Sequence, residues 1–403
     1  MAEEFKRAGL RLNLFENEEF DFQMVRGLGA ACMGAATLGE CLVTAGRISD
    51  GDVLSWVAEW AATASRVEKQ AGEFERRGVK SASRDAYLRA SMYWRAAEYY
   101  GFFSEPARRE HWESSVRCFR KAAGLMGYPW EVLEIPFQDV KLPGYFFSPG
   151  GGERPRPTLM LLSGFDGTME EMFLGVGPYA LEEGYNIMMF EGPGQAAMCH
   201  LYPDRPFMPD FEKPVSAAVD YALSRPDVDP ERLALLGVSL GGYFAARAVV
   251  HDKRIKACIL NSPIVDMYPY FAGSALKNLA ELPEADYESA MQAVPIIRWV
   301  VETFGRRFGA GTVPAMFEKM KAFSIVGREG EITCATLSLV GEGEGEEAQR
   351  QTAAFYEGVS GPKAKHVFTA EEGADAHCQV GNQPLAGGVI LAWLKEVDWG
   401  AAT

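Results

Sequence analysis

Between about 53 and 75, apolar residues recur at alternating steps of four and three: Val53, Val57, Trp60, Ala64, Val67, Ala71 and Phe74. That spacing places them on one face of a helix. Ser49 and Asp50 offer N-caps ahead of it, and Gly78 offers a stop behind it. A second helix is predicted from about Ser83 to Phe103; it is apolar nearly all round and should be buried. A third follows Pro106 to about Leu125. From about 18 to 126 the chain carries helical signals only, with no internal repeat that would indicate a solenoid.

From about 131 the pattern changes to short β-rich runs alternating with helices. The predicted strands are Val132–Phe137, Leu142–Phe147, Thr158–Leu162, Asn186–Phe190, Leu233–Gly237, Ala257–Asn261, Thr336–Val340 and Lys365–Thr369. Helices are predicted at about 170–183, 212–224, 241–250, 346–357 and 384–396. Such alternation implies an α/β fold with a mostly parallel, doubly wound sheet. The glycine-rich stretch Ser148 to Glu153 reads as a loop and not a phosphate cradle, because no helix and no Lys-Ser/Thr follow it. Between the sixth and seventh strands lies a helical insertion, 266–331, containing Trp299, Phe304, Phe308 and Phe317. Insertions there usually lie over the carboxyl edge of the sheet, where ligands bind. The expected organisation is a helical cap over 1–128 and a catalytic domain over 129–403, with 266–331 contributing to the cap.

A chain of 403 residues fits two units better than one. Its formal charge of −15 argues against nucleic acid as a partner. The longest apolar runs, such as Leu159–Leu162 and Ile187–Phe190, are strand-sized, so no membrane span is expected. The first twenty residues show no signal-peptide core. Seven scattered cysteines form no C-x-x-C pair, which argues against zinc and a disulfide framework and for a reducing cytoplasm. No cofactor and no metal are expected.

The candidate chemistry centres on Gly237-Val238-Ser239-Leu240-Gly241. It ends a predicted strand and opens a predicted helix, the context of a G-x-S-x-G nucleophile elbow. A serine alcohol needs a base, and the base needs an orienting acid. Of five histidines, His111 lies in a charged helix and His200 follows a loop. His251 ends the helix after the serine, and His366 belongs to the last strand. His377 lies between the last strand and the final helix, where the base of a serine, acid, histidine order belongs.

The acid should sit at the tip of the seventh strand, in Leu339-Val-Gly-Glu-Gly-Glu-Gly-Glu-Glu347. Glu344 is preferred, three residues past Gly341, with Glu342 as the runner-up. Glu346 suits the start of the next helix, and Asp375, sharing the loop of His377, ranks lower. Leu240 and Phe165 would donate the backbone N–H groups of an oxyanion hole. Asp166 beside that hole is unexpected for plain ester hydrolysis. It would either act as an acid, bind substrate hydroxyls, or cap the next helix.

Four segments carry a family resemblance: Ser81–Ala97, Gly164-Phe-Asp-Gly-Thr-Met-Glu-Glu171, Phe190-Glu-Gly-Pro-Gly-Gln195 and Gly237-Val-Ser-Leu-Gly-Gly242. They resemble capped α/β hydrolases that cleave carbon–carbon bonds. That group includes 2,6-dihydroxypseudooxynicotine hydrolase and the heptaketide chain-shortening hydrolases of polyketide pigment pathways. The resemblance implies a triad matched by Ser239, Glu344 and His377, and an acidic residue in the oxyanion loop matched by Asp166. This chain departs from the group at Ser163, where glycine is more usual, and at Ala196 and Ala197.

Three functions fit these residues. The first is a retro-Claisen hydrolase acting on a β-dicarbonyl or aryl ketone through an acyl-enzyme. The second is a carboxylesterase, lactonase or thioesterase with the same triad. The third is a non-hydrolytic cyclase or binding protein on the same fold. The partner is a small molecule, aromatic or polyoxygenated, with Arg84, Arg95 and Tyr93 of the second helix as candidate binders. Arg84, Ser91, Arg95 and Glu98 are expected on one helix face, where pairing among charged groups is the alternative to substrate binding. A homodimer is one option for the oligomeric state.

Overall fold

The computed structural model describes residues 6–399 apart from 153, 275, 282, 284 and 285. Residues 1–5 of the amino-terminal stretch and Glu153 of the glycine-rich loop therefore lie outside the described residues. Eight strands form one sheet: β1 (Trp130–Phe137), β2 (Val140–Phe147), β3 (Arg156–Leu162), β4 (Asn186–Phe190), β5 (Val228–Val238), β6 (Ala257–Asn261), β7 (Ala335–Gly341) and β8 (Lys363–Phe368). Their order across the sheet is β1-β2-β4-β3-β5-β6-β7-β8. β1 and β2 pair antiparallel, as do β2 and β4, and every later pair is parallel.

Burial follows from that order. β4 and β6 are buried at every position, as strands covered on both faces must be. The edge strands β1 and β8 alternate between exposed and covered positions. Helices Met169–Glu182, Glu212–Leu223, Leu240–His251, Glu346–Gly358 and Gln383–Glu396 fall close to their predicted places. The parallel arrangement brings the carboxyl ends of β3, β5, β6, β7 and β8 to one edge, which is where an α/β sheet binds ligands.

The chain divides into two units. One takes in Met1–Gly9, Pro129–Glu281 and Arg307–Thr403, and contains the sheet. The other takes in Leu10–Tyr128 and Leu282–Arg306, and is helical. Only part of the 266–331 insertion therefore falls with the amino-terminal helices. Trp299 belongs to that part: it packs on Tyr99 and Tyr100, and its Nε1 donates to the Tyr99 carbonyl at 2.5 Å.

In the helical unit, Val53–Arg76 is capped by Asp52, whose side chain accepts from the N–H of Leu54, and not by Ser49 or Asp50. Asp50 instead accepts from the N–H of Glu16 at 2.8 Å. The next helix, Lys80–Tyr99, starts and ends earlier than its pattern suggests, because Gly78 turns with φ 74° and the chain re-enters a helix at once. It is buried on most of its circumference, as its composition requires. Among the described residues, no helix is long and apolar enough to cross a membrane.

Candidate active site

Ser239 sits where β5 turns into helix Leu240–His251, at φ 58° and ψ −126°. A residue with a Cβ pays conformational strain there. The strain is held in place from outside the turn, since the N–H of Ser239 donates to the carbonyl of Asn261 at the end of β6 (2.5 Å). Gly237 is required because a Cβ there would overlap the carbonyl of Gly241 across the turn. The turn lifts Ser239 Oγ out of the sheet, where its hydrogen-bond partner is His377 Nε2 at 2.9 Å.

His377 follows β8 and is almost fully buried. Its Nδ1 lies 2.5 Å from Glu344 Oε2, in the loop after β7. Glu344 is buried as well, and its other oxygen accepts from Ser262 Oγ at 2.6 Å and from the N–H of Gly341 at 3.0 Å. β6 lies between β5 and β7, so its end fills the gap under the serine and the acid: Asn261 holds one, Ser262 the other. Burial works against the Glu344 carboxylate, but His377, Ser262 and Gly341 outweigh it and hold it below its ordinary range. Burial likewise disfavours a charged His377, but Cys378 and Glu344 outweigh it and push the imidazole upward. The two shifts describe one coupled pair that favours a proton between carboxylate and ring.

The remaining acids of that loop point elsewhere. Glu342 Oε1 accepts from the exposed N–H of Ala370 at 2.6 Å. Glu346 begins helix Glu346–Gly358, as its position suggests. Asp375 Oδ2 accepts from the N–H of Gly9 at 2.7 Å.

On the other side of Ser239, the loop after β3 passes close to the elbow. A Cβ on Gly164 would lie 2.7 Å from the nitrogen of Leu240 and 2.8 Å from Ser239 Cβ, so only glycine lets the two backbones approach. Leu240 opens its helix, and its N–H has no acceptor within that helix. The ring of Phe165 meets Phe207, Phe271 and Phe308, with the Arg307 guanidinium 5.1 Å from its centroid. Asp166 follows it, partly buried. It is not the helix cap: Thr168 takes that role, accepting from the N–H of Glu171, because the cap must stand immediately before Met169.

The Glu-Gly-Pro-Gly-Gln run braces this loop, a part the residue chemistry alone did not reveal. Gln195 Nε2 donates to the carbonyl of Ser163 at 2.6 Å and to its hydroxyl at 3.0 Å. The hydroxyl at 163 thus has a partner here that a glycine would lack. Glu191, buried at the end of β4, accepts from the N–H of Met169 at 3.0 Å and from that of Ala197 at 2.5 Å. Burial and neighbouring Glu170 push Glu191 up to about 8, against the two backbone donors. A carboxyl group directly after the apolar run Ile187–Phe190 is the sequence signal that marks it. Arg307, also buried, donates to the Gly194 carbonyl at 2.9 Å.

The three candidate binders in the helical unit have partners inside that unit. Tyr93 is buried on Trp60, and its hydroxyl donates to Glu40 at 2.9 Å. Arg95 is buried with its guanidinium 5.1 Å from the Tyr99 ring centroid. Arg84 is partly exposed and pairs with Asp85 at 2.8 Å, so it does not share the buried face of Ser91, Arg95 and Glu98. Glu98 is paired with buried Arg108 at 2.7 Å. These contacts favour the pairing alternative over substrate binding. Among the described residues, no group of three or more histidine, cysteine, aspartate or glutamate side chains is arranged to hold a metal ion.

Comparison with known proteins adds a family to this geometry. The family described as esterase FrsA-like matches residues 50–287, more than half of the chain. The hydrolase ORFZ of Pyricularia oryzae is 35% identical over 340 residues, spanning 78% of this chain and 80% of that protein. The 20-hydroxy-prefusarin hydrolase FUS2 of Gibberella moniliformis is 36% identical over 265 residues, 63% of each chain. In fold, the chain is similar to the crystal structure of 2,6-dihydroxy-pseudo-oxynicotine hydrolase. The TM-score is 0.71 at 20% identity, covering 92% of this chain and 95% of that one.

Proposed function

Since the chain belongs to the FrsA-like esterase family and is an α/β-fold hydrolase, we propose that it cleaves a carbon–carbon bond beside a ketone. Ser239, His377 and Glu344 act as nucleophile, base and orienting acid. The observation that carries this reading is the hydrogen-bonded chain from Ser239 Oγ through both ring nitrogens of His377 to Glu344.

Ser239 Oγ attacks the ketone carbon while His377 Nε2 takes the hydroxyl proton. Charge develops on the carbonyl oxygen, which the N–H groups of Leu240 and Phe165 receive. Glu344 fixes the ring and compensates the imidazolium. Collapse of the tetrahedral intermediate breaks the carbon–carbon bond, and the electron pair leaves on the α-carbon as an enolate. That carbon is protonated by His377, either directly or through Asp166, which His377 then reprotonates, so the ring is neutral again and the first product is released. Water, deprotonated by His377, then attacks the acyl-Ser239 ester and releases a carboxylic acid. An enolate can leave only if a second carbonyl or an aromatic ring stabilises it, so the substrate is a β-dicarbonyl or an aryl ketone.

Asp166 favours carbon–carbon cleavage, because plain ester hydrolysis has no use for a carboxylate beside the oxyanion site. The family's description as esterases supports a second reading, hydrolysis of an ester, lactone or thioester by the same three residues. Turnover of a β-dicarbonyl series and a series of activated aryl esters separates the two. Cleavage of the diketones to a ketone and an acid is expected; turnover of esters with no diketone cleaved would establish the second reading instead.

A further inference from the structure

The short segment Lys6–Gly9 belongs to the sheet unit although Leu10, the next residue, belongs to the helical one. Its backbone is bonded to both loops that carry the acid and the base. The carbonyl of Lys6 accepts from the N–H of Gly345, one residue past Glu344, at 2.9 Å. The carbonyl of Arg7 accepts from the N–H of His377 itself at 2.6 Å. The N–H of Gly9 donates to Asp375 Oδ2 at 2.7 Å, two residues before His377.

The fit of this segment explains two glycines and an acid with no other assigned part. A Cβ on Gly343 would lie 2.5 Å from the nitrogen of Gly9 and would overlap Asp375 Oδ2. A Cβ on Gly9 would lie 2.5 Å from the same carboxylate oxygen. The acid loop and the base loop also touch directly, through the N–H of Gly343 and the carbonyl of Asp375 at 3.0 Å. The loops also meet through the N–H of Ala370 and Glu342 Oε1 at 2.6 Å, and through Glu344 and His377 themselves. The three bonds to Lys6–Gly9 tie both loops to a third segment of chain as well.

We infer that Lys6–Gly9 is a positioning strap: it sets the register of the Glu344 loop against the His377 loop, with Asp375 as its anchor. The inference rests on the reading of Ser239, His377 and Glu344 given above. Asp375 and the strap touch no reacting atom; they act through the placement of His377 and Glu344. A shift of about 1 Å at such a pair is enough to cost on the order of 10²-fold in rate.

The test is a double-mutant cycle of Gly9→Ala and Asp375→Ala, with Asp375→Asn as the conservative variant and Ser239→Ala as the reference for loss of the nucleophile. Each alanine variant is expected to lower kcat by about 10- to 100-fold with KM within about 3-fold. Asp375→Asn keeps an oxygen for the Gly9 N–H and should restore most of the rate. The two alanine losses should not multiply, since both break the same contact. Gly9 is exposed, so Gly9→Ala remains a usable variant even if Asp375→Ala fails to fold. Wild-type kcat in Gly9→Ala, or losses that multiply in the double variant, would overturn the strap while an inactive Ser239→Ala left the active-site reading standing. An active Ser239→Ala would overturn that reading, and the strap with it.

Discussion

Glu98 of the helical unit and Glu344 of the sheet unit are both buried acids, and they are satisfied in different ways. In the helical unit Glu98 faces a guanidinium, that of Arg108, which also donates to the Gly101 carbonyl at 2.8 Å and to Thr303 Oγ1 at 3.0 Å. The opposite charge is permanent, and the pair ties helix Lys80–Tyr99 to helix Pro106–Ala123. In the sheet unit Glu344 faces an imidazole, a hydroxyl and a backbone N–H, and Glu191 faces two backbone N–H groups. There the compensation comes from a group that can gain or lose a proton, or from the loops being held. The difference teaches that a buried carboxylate becomes chemically useful when its partner is titratable and its remaining lone pairs are already occupied.

The sharpest way to break this contrast is to remove the group that Glu344 and His377 serve. Ser239→Ala is expected to lower kcat by at least about 10⁴-fold, with the helical unit's stability unchanged. A fluorophosphonate probe should label Ser239 in the parent protein and nothing in the variant. Labelling elsewhere in an active enzyme would place the nucleophile outside the elbow.

Glu344→Gln keeps the shape of the acid while removing its charge. A loss of about 10³- to 10⁴-fold in kcat is expected, as for other triad acids. The pH profile carries the sign. His377 must be neutral to accept a proton, and its pKa is raised, so the parent's activity should climb with pH through a value above the ordinary 6.5. With Glu344 uncharged, one cause of that rise is gone, and the acidic limb should move to lower pH. Glu342→Gln should leave both rate and limb nearly unchanged; the reverse pattern would make Glu342 the acid.

Much of this was legible in the chain because it is local. Strand, serine and helix lie within a few residues of one another, so the elbow announces itself. The eight strands follow from short β-rich runs, mostly apolar in the middle of the sheet and alternating at its edges. What was not legible depends on neighbours supplied by the fold. Spacing past Gly341 favours Glu344 over Glu342, but the meeting of its carboxylate with His377 depends on the adjacency of β7 and β8. Ser262 reaches Glu344 only because β6 lies between β5 and β7. Asp166 read equally well as a helix cap until the helix was seen to start at Met169, which gives that role to Thr168. For Arg95 and Tyr93 the sequence left pairing and substrate binding both open, because it does not show the Tyr99 ring or Glu40 beside them.

A smaller and more selective effect is expected at Asp166. Asp166→Asn preserves shape but not proton transfer, so β-dicarbonyl turnover should fall by about 10²-fold while hydrolysis of an activated aryl ester holds. Equal losses on both would make Asp166 a support of its loop. Smallest in activity is Arg108→Met, which strands the buried Glu98. It should cost about 3–5 kcal/mol of stability, read from denaturant unfolding, yet leave kcat of the folded protein within about 3-fold. A large loss of kcat with stability intact would erase the distinction between the two kinds of buried acid.

The central claim is that Ser239 becomes acylated as the carbon–carbon bond breaks. Rapid acid quenching of turnover on a β-dicarbonyl, followed by mass analysis of the Ser239 peptide, tests it directly. The account predicts an adduct with the mass of the acyl fragment on Ser239, absent from Ser239→Ala and formed no more slowly than the free ketone. Continued turnover with no adduct on Ser239, or ketone appearing before any acylation, would contradict it.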